Sequence, residues 1–458
     1  MAKIFDLRSY LEVLEKNGKL TRIHRPVDLE HELANVAAAL ARSGGSPVLF
    51  EQVVRRQPPA AQSQLNNWPV FTNAVVNPLC ASLALGCSPQ ELPQRMAYAL
   101  EPINGVTPKM TAERPAWQAH VLTGDQINLY DLPIPTHGAH DGGPFITGGV
   151  TVSCDPQSGR GNLSYNRMQI LDRRTLGFNV NEWRDVMCFY KFQQERHLPL
   201  PIAVAIGLDP AIMIAAAARY DDDELKMAGA LRNEPVVVCK GTTVDIPIPF
   251  YAEIVIEGWL PPHVRRPEGP LAEFHGYYGE IWQSPIFEVQ AVCFRDQPIF
   301  QTIVPGWDEH VYIGNVLPRE PLLLRFIRHV SKNVCNLHIP PYGNGFLAIV
   351  QIRKSNPGEP KNVAMAAFTA HVNIAKVIVV DEDVDIYDPA DVWWSLVNRV
   401  DWQRDFFVVP GAQGHEMDPT ADERGVQTKI GIDATYKPEV RNYGQRVRYP
   451  AVDLQNYL

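Results

Sequence analysis

Between Trp117 and about Ile303 the chain is written in short apolar runs broken by proline and glycine: DLPIPTHGAHDGGPFITGGVTVS, LSYNRMQIL, PLPIAVAIG, EPVVVCKG, IPFYAEIVIEG and SPIFEVQAVCFRDQPIFQTIV. Runs this short are not the long amphipathic helices of a bundle, and each Pro interrupts a helix or a central strand. Repeated short strands with turn signals between them favour a barrel-like β domain. Two helices are expected to interrupt it: Asp209 caps and Pro210 opens the run AIMIAAAAR, and DELKMAGALR forms a second. In YAEIVIEG, Ala252, Ile254 and Ile256 alternate with Glu253, Val255 and Glu257, the pattern of a half-buried strand. The stretch Arg295-Asp296-Gln297-Pro298 reads as a hairpin turn.

On either side the texture is alternating α/β. Leu7, Tyr10, Leu11 and Leu14 recur at helical spacing behind Asp6 and before Gly18. A second helix is expected through HELANVAAALARSGG, and Val48-Leu49-Phe50 starts a strand. After Pro318, LLLRFIRHVSKNV reads as a helix, GFLAIVQI and KVIVVDEDVDI as strands and PADVWWSLVNRV as a helix; the polar tail from Gly411 is expected to pack along a surface or a neighbouring subunit. A chain of 458 residues exceeds one compact core. The expected division is an N-terminal α/β domain (1–116), a barrel-like central domain (117–317) and a C-terminal α/β domain (318–458).

A net charge of -9 disfavours a nucleic-acid or anionic-membrane surface and points to a small-molecule partner. The first residues carry charges where a signal peptide needs an apolar core, and no run reaches transmembrane length, so a cytoplasmic, non-membrane protein is expected. Seven scattered Cys with no CxxC pair suggest buried thiols rather than disulfides or a thiolate zinc site.

Several segments carry groups capable of chemistry. In PEGPLAEFHGYY, Glu268 and Glu273 stand on a loop that Gly and Pro keep from being regular structure. Two carboxylates held in one shape can be driven to different pKa values, one an acid and the other a base; the plain alternative is a solvated acidic turn. Arg167, in NLSYNR, offers a planar fork for a carboxylate, or a structural ion pair at a sheet rim. Glu224 closes an acidic run before a helix, and with the Asn162 carbonyl it would suit a hard cation; the plain alternative is a solvated face dressing the helix N-terminus. His137, His140 and Asp141 suggest zinc, but no second cluster completes the set and loop hydrogen bonding is favoured. There is no GxGxxG after a strand and no Walker loop.

Taken in order, these segments resemble the UbiD family of decarboxylases. The resemblance runs through DGGPFIT (141–147), NLSYNRMQ (162–169), PIAVAIGLDPA (201–211), ELKMAGALR (224–232), AEIVIEG (252–258), PEGPLAEFHGYY, VIVVDEDVDIYD (377–388) and KIGIDATYK (429–437). It implies a prenylated FMN in the central split barrel and reversible decarboxylation of an aromatic, heteroaromatic or α,β-unsaturated acid. By motif, the catalytic trio falls on Arg167, Glu268 and Glu273. Cofactor contacts fall on Asn162, Ser164, Tyr165, Asn166, Arg167, Met168 and Glu224. The resemblance further implies Mn²⁺ or Mg²⁺ on Asn162 and Glu224, a nearby K⁺, a flavin prenyltransferase to supply the cofactor, and a homodimer or homohexamer built through the C-terminal domain. One position departs: the family's metal-binding His falls on Trp183, whose indole cannot ligate a metal, so either Asn181, Glu182, Asp185 or water takes that place or metal and cofactor binding are altered, with stacking on the flavin or narrowing of the substrate pocket as other roles for Trp183. His310 is a candidate specificity residue.

Losing CO₂ from an sp² carbon leaves a carbanion that needs an electron sink, which the resemblance supplies as the modified flavin. The expected roles are Arg167 pinning carboxylates, Glu268 tuning its partners and Glu273 donating the proton. Two other readings stay open: a non-catalytic or altered cofactor-binding or assembly protein, and a metal-dependent hydrolase built on His137, His140 and Asp141.

Overall fold

The structure is a computed structural model that describes residues 3–55, 68–306, 308–447, 449 and 452–457. Two compact units divide them, residues 1–322 with 341–345, and residues 323–340 with 346–458.

In the first unit the helix Leu7–Lys16 forms as its pattern requires. Asp6 and Ser9 make a capping box, and Leu7, Tyr10, Leu11 and Leu14 are buried. The helix Glu32–Arg42 follows, and the strands Thr21–Ile23, Val48–Phe50 and Val70–Thr72 make a small sheet. Its fourth strand, Phe300–Gln301, comes from far along the chain and pairs in parallel with Val70–Thr72. That pairing corrects the expected hairpin: the chain turns at 295–298, but Phe300 donates to the Pro69 carbonyl at 2.9 Å instead of pairing with the preceding strand. Turn residues specify a reversal and not the partner.

The central region is a curled ten-stranded sheet. Its main path runs Gly161–Tyr165, Val150–Cys154, Leu200–Ile206, Ile254–Leu260, Trp282–Phe294, Thr175–Phe178, Met168–Ile170 and Phe145–Ile146. The long strand Trp282–Phe294 also takes Arg265–Glu268 and His120–Thr123 as antiparallel partners. Register shifts between Glu257 and Gly258, where a Cβ on Gly258 would lie 2.0 Å from the Glu288 carbonyl oxygen, so only glycine fits. The strand Ile254–Leu260 is not half-buried as its alternation suggested. Glu253 and Glu257 are both fully buried. Glu253 is salt-bridged by Arg8 and Arg295, and Glu257 accepts from the amides of Thr242 and Thr243, so burial of these charges is compensated. The helices Pro210–Ala217, capped by Asp209, and Glu224–Arg232, capped by Asp223, lie where they were expected.

The second unit is a five-stranded sheet ordered Val334–His338, Leu347–Ile352, Lys376–Asp381, Val426–Asp433 and Phe406–Gln413, with the helices Glu359–Ala370 and Pro389–Arg399. The tail is thus not simply a surface strap. Val426–Asp433 pairs in parallel with Lys376–Asp381 inside the sheet. Buried Lys429 donates to the Phe368 and Val372 carbonyls at the end of a helix, which is how a polar-looking run becomes an interior strand. Among the described residues no helix is long and apolar enough to cross a membrane.

Candidate active site

Arg167 occupies the turn between the strands Gly161–Tyr165 and Met168–Ile170. Its Nε and Nη2 donate to the two oxygens of Glu268 at 2.9 and 3.1 Å, and its Nη1 donates to Glu273 Oε1. One guanidinium is therefore shared between both loop carboxylates. Asn179, which sequence reasoning missed, donates from Nδ2 to Glu268 Oε2 at 2.8 Å and from its amide to the Arg167 carbonyl. It reaches the site only because the strand Thr175–Phe178 pairs with Met168–Ile170.

The two carboxylates are not equivalent. Glu268 has no exposed side-chain surface and accepts from two Arg167 nitrogens and from Asn179. Glu273 makes a single contact with Arg167, and burial pushes it up to about 7 while the Arg167 charge opposes and the Glu268 charge adds to the shift. Near neutral pH Glu273 can therefore gain or lose a proton, an acid/base poised beside a fixed cation.

The loop holds this shape through its own backbone and through a neighbour. Glu268 ends the strand Arg265–Glu268, and Gly269, at φ +109°, turns the chain out of the sheet. The amide of Glu273 donates to the Tyr277 carbonyl, and that of Gly279 to the Leu271 carbonyl. Asp141 accepts from the amides of His137, Gly138 and Ala272, so the THGAHDGG segment is a brace for the acidic loop. Gln169 also links the Gly142 carbonyl to the Gly269 amide. His137 is buried, its Nε2 is 3.0 Å from Thr302 Oγ1, and burial lowers its pKa to about 3. His140 instead lies edge-on to Tyr278 at the surface. The two imidazoles diverge, and among the described residues no group of three or more His, Cys, Asp or Glu is arranged to hold a metal.

A second polar cluster lies along the strand Gly161–Tyr165. Asn162 and Ser164 share one face by strand alternation. Asn162 Nδ2 contacts Ser153 Oγ across the pair, and Ser164 Oγ donates to Asn166 Oδ1 at 2.8 Å. Among the described residues the buried Tyr165 hydroxyl has no hydrogen-bond partner, and Met168, paired on both sides within the sheet, puts its side chain in the hydrophobic core. Glu224 begins its helix and accepts from the Leu163 amide at 2.7 Å. Burial pushes its pKa up to about 8, and Asp223 and Asp185 add to the shift. Asn162 and Glu224 carry the donor types a hard cation prefers, an amide carbonyl and a carboxylate. Trp183 is 57% exposed and packs under the Arg184 guanidinium. Of its neighbours, Glu182 pairs with Lys191 and Asp185 with Arg160.

His310 lies edge-on to Phe274. Its Nδ1 accepts from the Gly306 amide, and burial, with Arg167 and His275 nearby, lowers its pKa to about 4.

Family models match along the chain in order. The 3-octaprenyl-4-hydroxybenzoate carboxy-lyase N-terminal domain matches residues 11–100, the Rift-related domain 109–308 and the C-terminal domain 312–434. The fold is similar to that of the UbiD-class enzyme HmfF from Pelotomaculum thermopropionicum in complex with FMN, with 35% identity over 99% of this chain and 100% of that chain and a TM-score of 0.90. An evolved dimeric form of HmfF in complex with prFMN matches at 32% identity over 99% and 100% of the two chains, with a TM-score of 0.86. The apo 3,4-dihydroxybenzoic acid decarboxylase from Enterobacter cloacae matches at 29% identity over 99% of each chain, with a TM-score of 0.89. With collinear matches to all three domains and whole-length similarity to a solved UbiD-class enzyme, this chain belongs to the UbiD family of carboxy-lyases.

Proposed function

We propose that the protein catalyses reversible, non-oxidative decarboxylation of an aromatic, heteroaromatic or α,β-unsaturated carboxylic acid with prenylated FMN. The observation that carries this reading is one arginine held between two unlike carboxylates, Glu268 buried and fully engaged, Glu273 singly bonded and poised near 7. HmfF, solved with FMN and with prFMN, and a decarboxylase named for an aromatic acid support it. Bound prenylated FMN supplies the electron sink that carbanion formation requires.

The chain's own residues do the rest. A guanidinium carries five N–H donors. Arg167 spends three of them on Glu268 and Glu273, which leaves donors to orient a substrate carboxylate. Glu268 and Asn179 keep that fork from rotating. Glu273, protonated below about 7, delivers a proton to the carbon that has lost CO₂ and takes one back in the carboxylation direction. Asn162, Ser164, Tyr165, Asn166, Arg167, Met168 and Glu224 would line the flavin. Asn162 and Glu224 would hold Mn²⁺ or Mg²⁺ against its phosphate, with K⁺ nearby. The reading extends to a cytoplasmic homodimer or homohexamer, supplied by a flavin prenyltransferase and divided at 1–116, 117–317 and 318–458.

The test is co-expression with a flavin prenyltransferase, followed by the absorption spectrum and CO₂ release from a panel of aromatic acids. In Glu273→Gln the spectrum should persist while turnover falls by about a hundredfold or more. Wild-type turnover should decline as pH rises through about 7, and the variant should lose that limb. Full turnover by Glu273→Gln would refute the proton-donor role, and a bound modified flavin with no CO₂ release from any acid would refute the activity.

A further inference from the structure

Two histidines outside the active site meet at the surface of the first unit. His263 Nε2 lies 3.1 Å from His197 Nδ1, with the ring centroids 5.1 Å apart and both residues exposed. Each comes from a place where glycine is the ordinary choice. The helix Asp185–Gln194 ends with the Leu198 amide donating to the Gln193 carbonyl and the His197 amide to the Gln194 carbonyl, and His197 stands at φ +56° in the position that glycine takes in such a cap. His263, at φ +63°, follows Pro262 in the turn between the strands Ile254–Leu260 and Arg265–Glu268. A left-handed conformation is unfavourable for a residue with a Cβ, so neither imidazole owes its place to local backbone preference. The two segments are also tied together: the Tyr190 hydroxyl donates to the Pro261 carbonyl at 2.9 Å, and the His263 amide to Gln194 Oε1 at 3.4 Å. The imidazoles therefore stand on a fixed backbone frame.

The distance decides what the pair can hold. One of the two nitrogens carries a proton and the other offers a lone pair; a proton on both leaves no bond between them. A borderline divalent ion can take that proton's place. Zn²⁺ binds imidazole nitrogen at about 2.0–2.1 Å, so two nitrogens 3.1 Å apart subtend about 100° at the ion, between the octahedral and tetrahedral angles. The nearby guanidinium groups are engaged by rings, Arg196 3.4 Å over Phe192 and Arg265 5.9 Å over Tyr190. We propose that His197 Nδ1 and His263 Nε2 form a surface site for a borderline divalent metal ion of the Zn²⁺, Ni²⁺ and Cu²⁺ class, with water completing the shell. Imidazole suits these ions and oxygen suits Mg²⁺ and Mn²⁺, so the pair selects against the cations that Asn162 and Glu224 favour. Bound metal staples the end of the helix Asp185–Gln194 to the turn that leads into the strand carrying Glu268.

The test titrates the purified full chain, stripped with EDTA and dialysed, with Zn²⁺ and with Mg²⁺ by calorimetry, and records the imidazole-nitrogen modulation in the electron paramagnetic resonance of substoichiometric Cu²⁺. The variants are His197→Gly, His263→Gly and the double, because glycine accepts both backbone conformations and the fold is kept. The double variant should bind one Zn²⁺ fewer per chain than wild type, each single variant should bind that ion about tenfold or more weakly, and the Mg²⁺ titration should be the same in all. Copper should report two imidazoles in the wild type and one in each single variant. Zn²⁺ should raise the melting temperature of the wild type by about 1–3 °C more than that of the double variant. The site is overturned if the double variant keeps the wild-type Zn²⁺ stoichiometry and affinity, if copper sits on a single imidazole in the wild type, or if Mg²⁺ at equal concentration displaces Zn²⁺ from the pair. A double variant that melts below wild type in EDTA, with Zn²⁺ changing neither, would make the pair a structural hydrogen bond and overturn the site too.

Discussion

Glu309 is buried to 1% exposure, and its Oε1 accepts from the Val75 amide at 2.8 Å, while among the described residues Oε2 has no hydrogen-bond partner. Burial pushes it up to about 7 from an ordinary 4.5. Between these values the folded chain keeps a proton that the unfolded chain gives up, so this group's contribution to stability declines as pH rises through that window and is level above it. Glu309→Gln should therefore raise the melting temperature at pH 8 relative to wild type and change it little at pH 4.5. Glu309→Ala should cost about 1–3 kcal/mol at both pH values, because the Val75 amide loses its acceptor. Equal melting of Gln variant and wild type at pH 8 would show that the carboxylate is not held near neutrality. At this scale Arg167, Glu268 and Glu273 were legible as residue types in characteristic motifs. Asn179 and Glu309 were not, because an amide or a carboxylate acquires its role only from what strand pairing and burial bring within 3 Å of it.

The acidic loop and THGAHDGG act as one element. The sequence invites a metal reading of His137 and His140, yet the residue that matters mechanically is Asp141, which ties three amides from two segments together. Asp141→Ala should release the loop, lowering kcat at least about tenfold and stability by about 1–3 kcal/mol while leaving FMN affinity near wild type. Unchanged kcat with a lowered melting temperature would make Asp141 a fold residue only. Helices were the most readable elements, since caps and periodicity are local: Asp6 and Asp209 cap where expected, while Asp223, read as part of its helix, caps it instead. Strand environment was less readable. Alternation in YAEIVIEG suggested one wet face, but Glu253 and Glu257 are buried because Arg8, Arg295 and loop amides from distant positions compensate them.

Over the whole molecule, the described residues form two compact units, and the family matches run across both. The second unit depends on its tail. Deleting the chain from Asp405 onward removes the strands Phe406–Gln413 and Val426–Asp433 and strips the Lys376–Asp381 edge of its partner. Such a deletion should give little soluble protein and weak near-ultraviolet dichroism; a soluble chain with wild-type melting would show that these strands are dispensable. The sequence by itself determined the α/β texture of both ends, the strand-rich middle, the capped helices and the family motifs that carry Arg167, Glu268 and Glu273, because periodicity, caps and motif spacing are properties of neighbours along the chain. Only the tertiary structure decided that Phe300–Gln301 serves a remote sheet, that Arg167 is shared between two unlike carboxylates and that Asp141 braces the loop. Each of these depends on desolvation and on partners many residues away, and neither is recorded in local order.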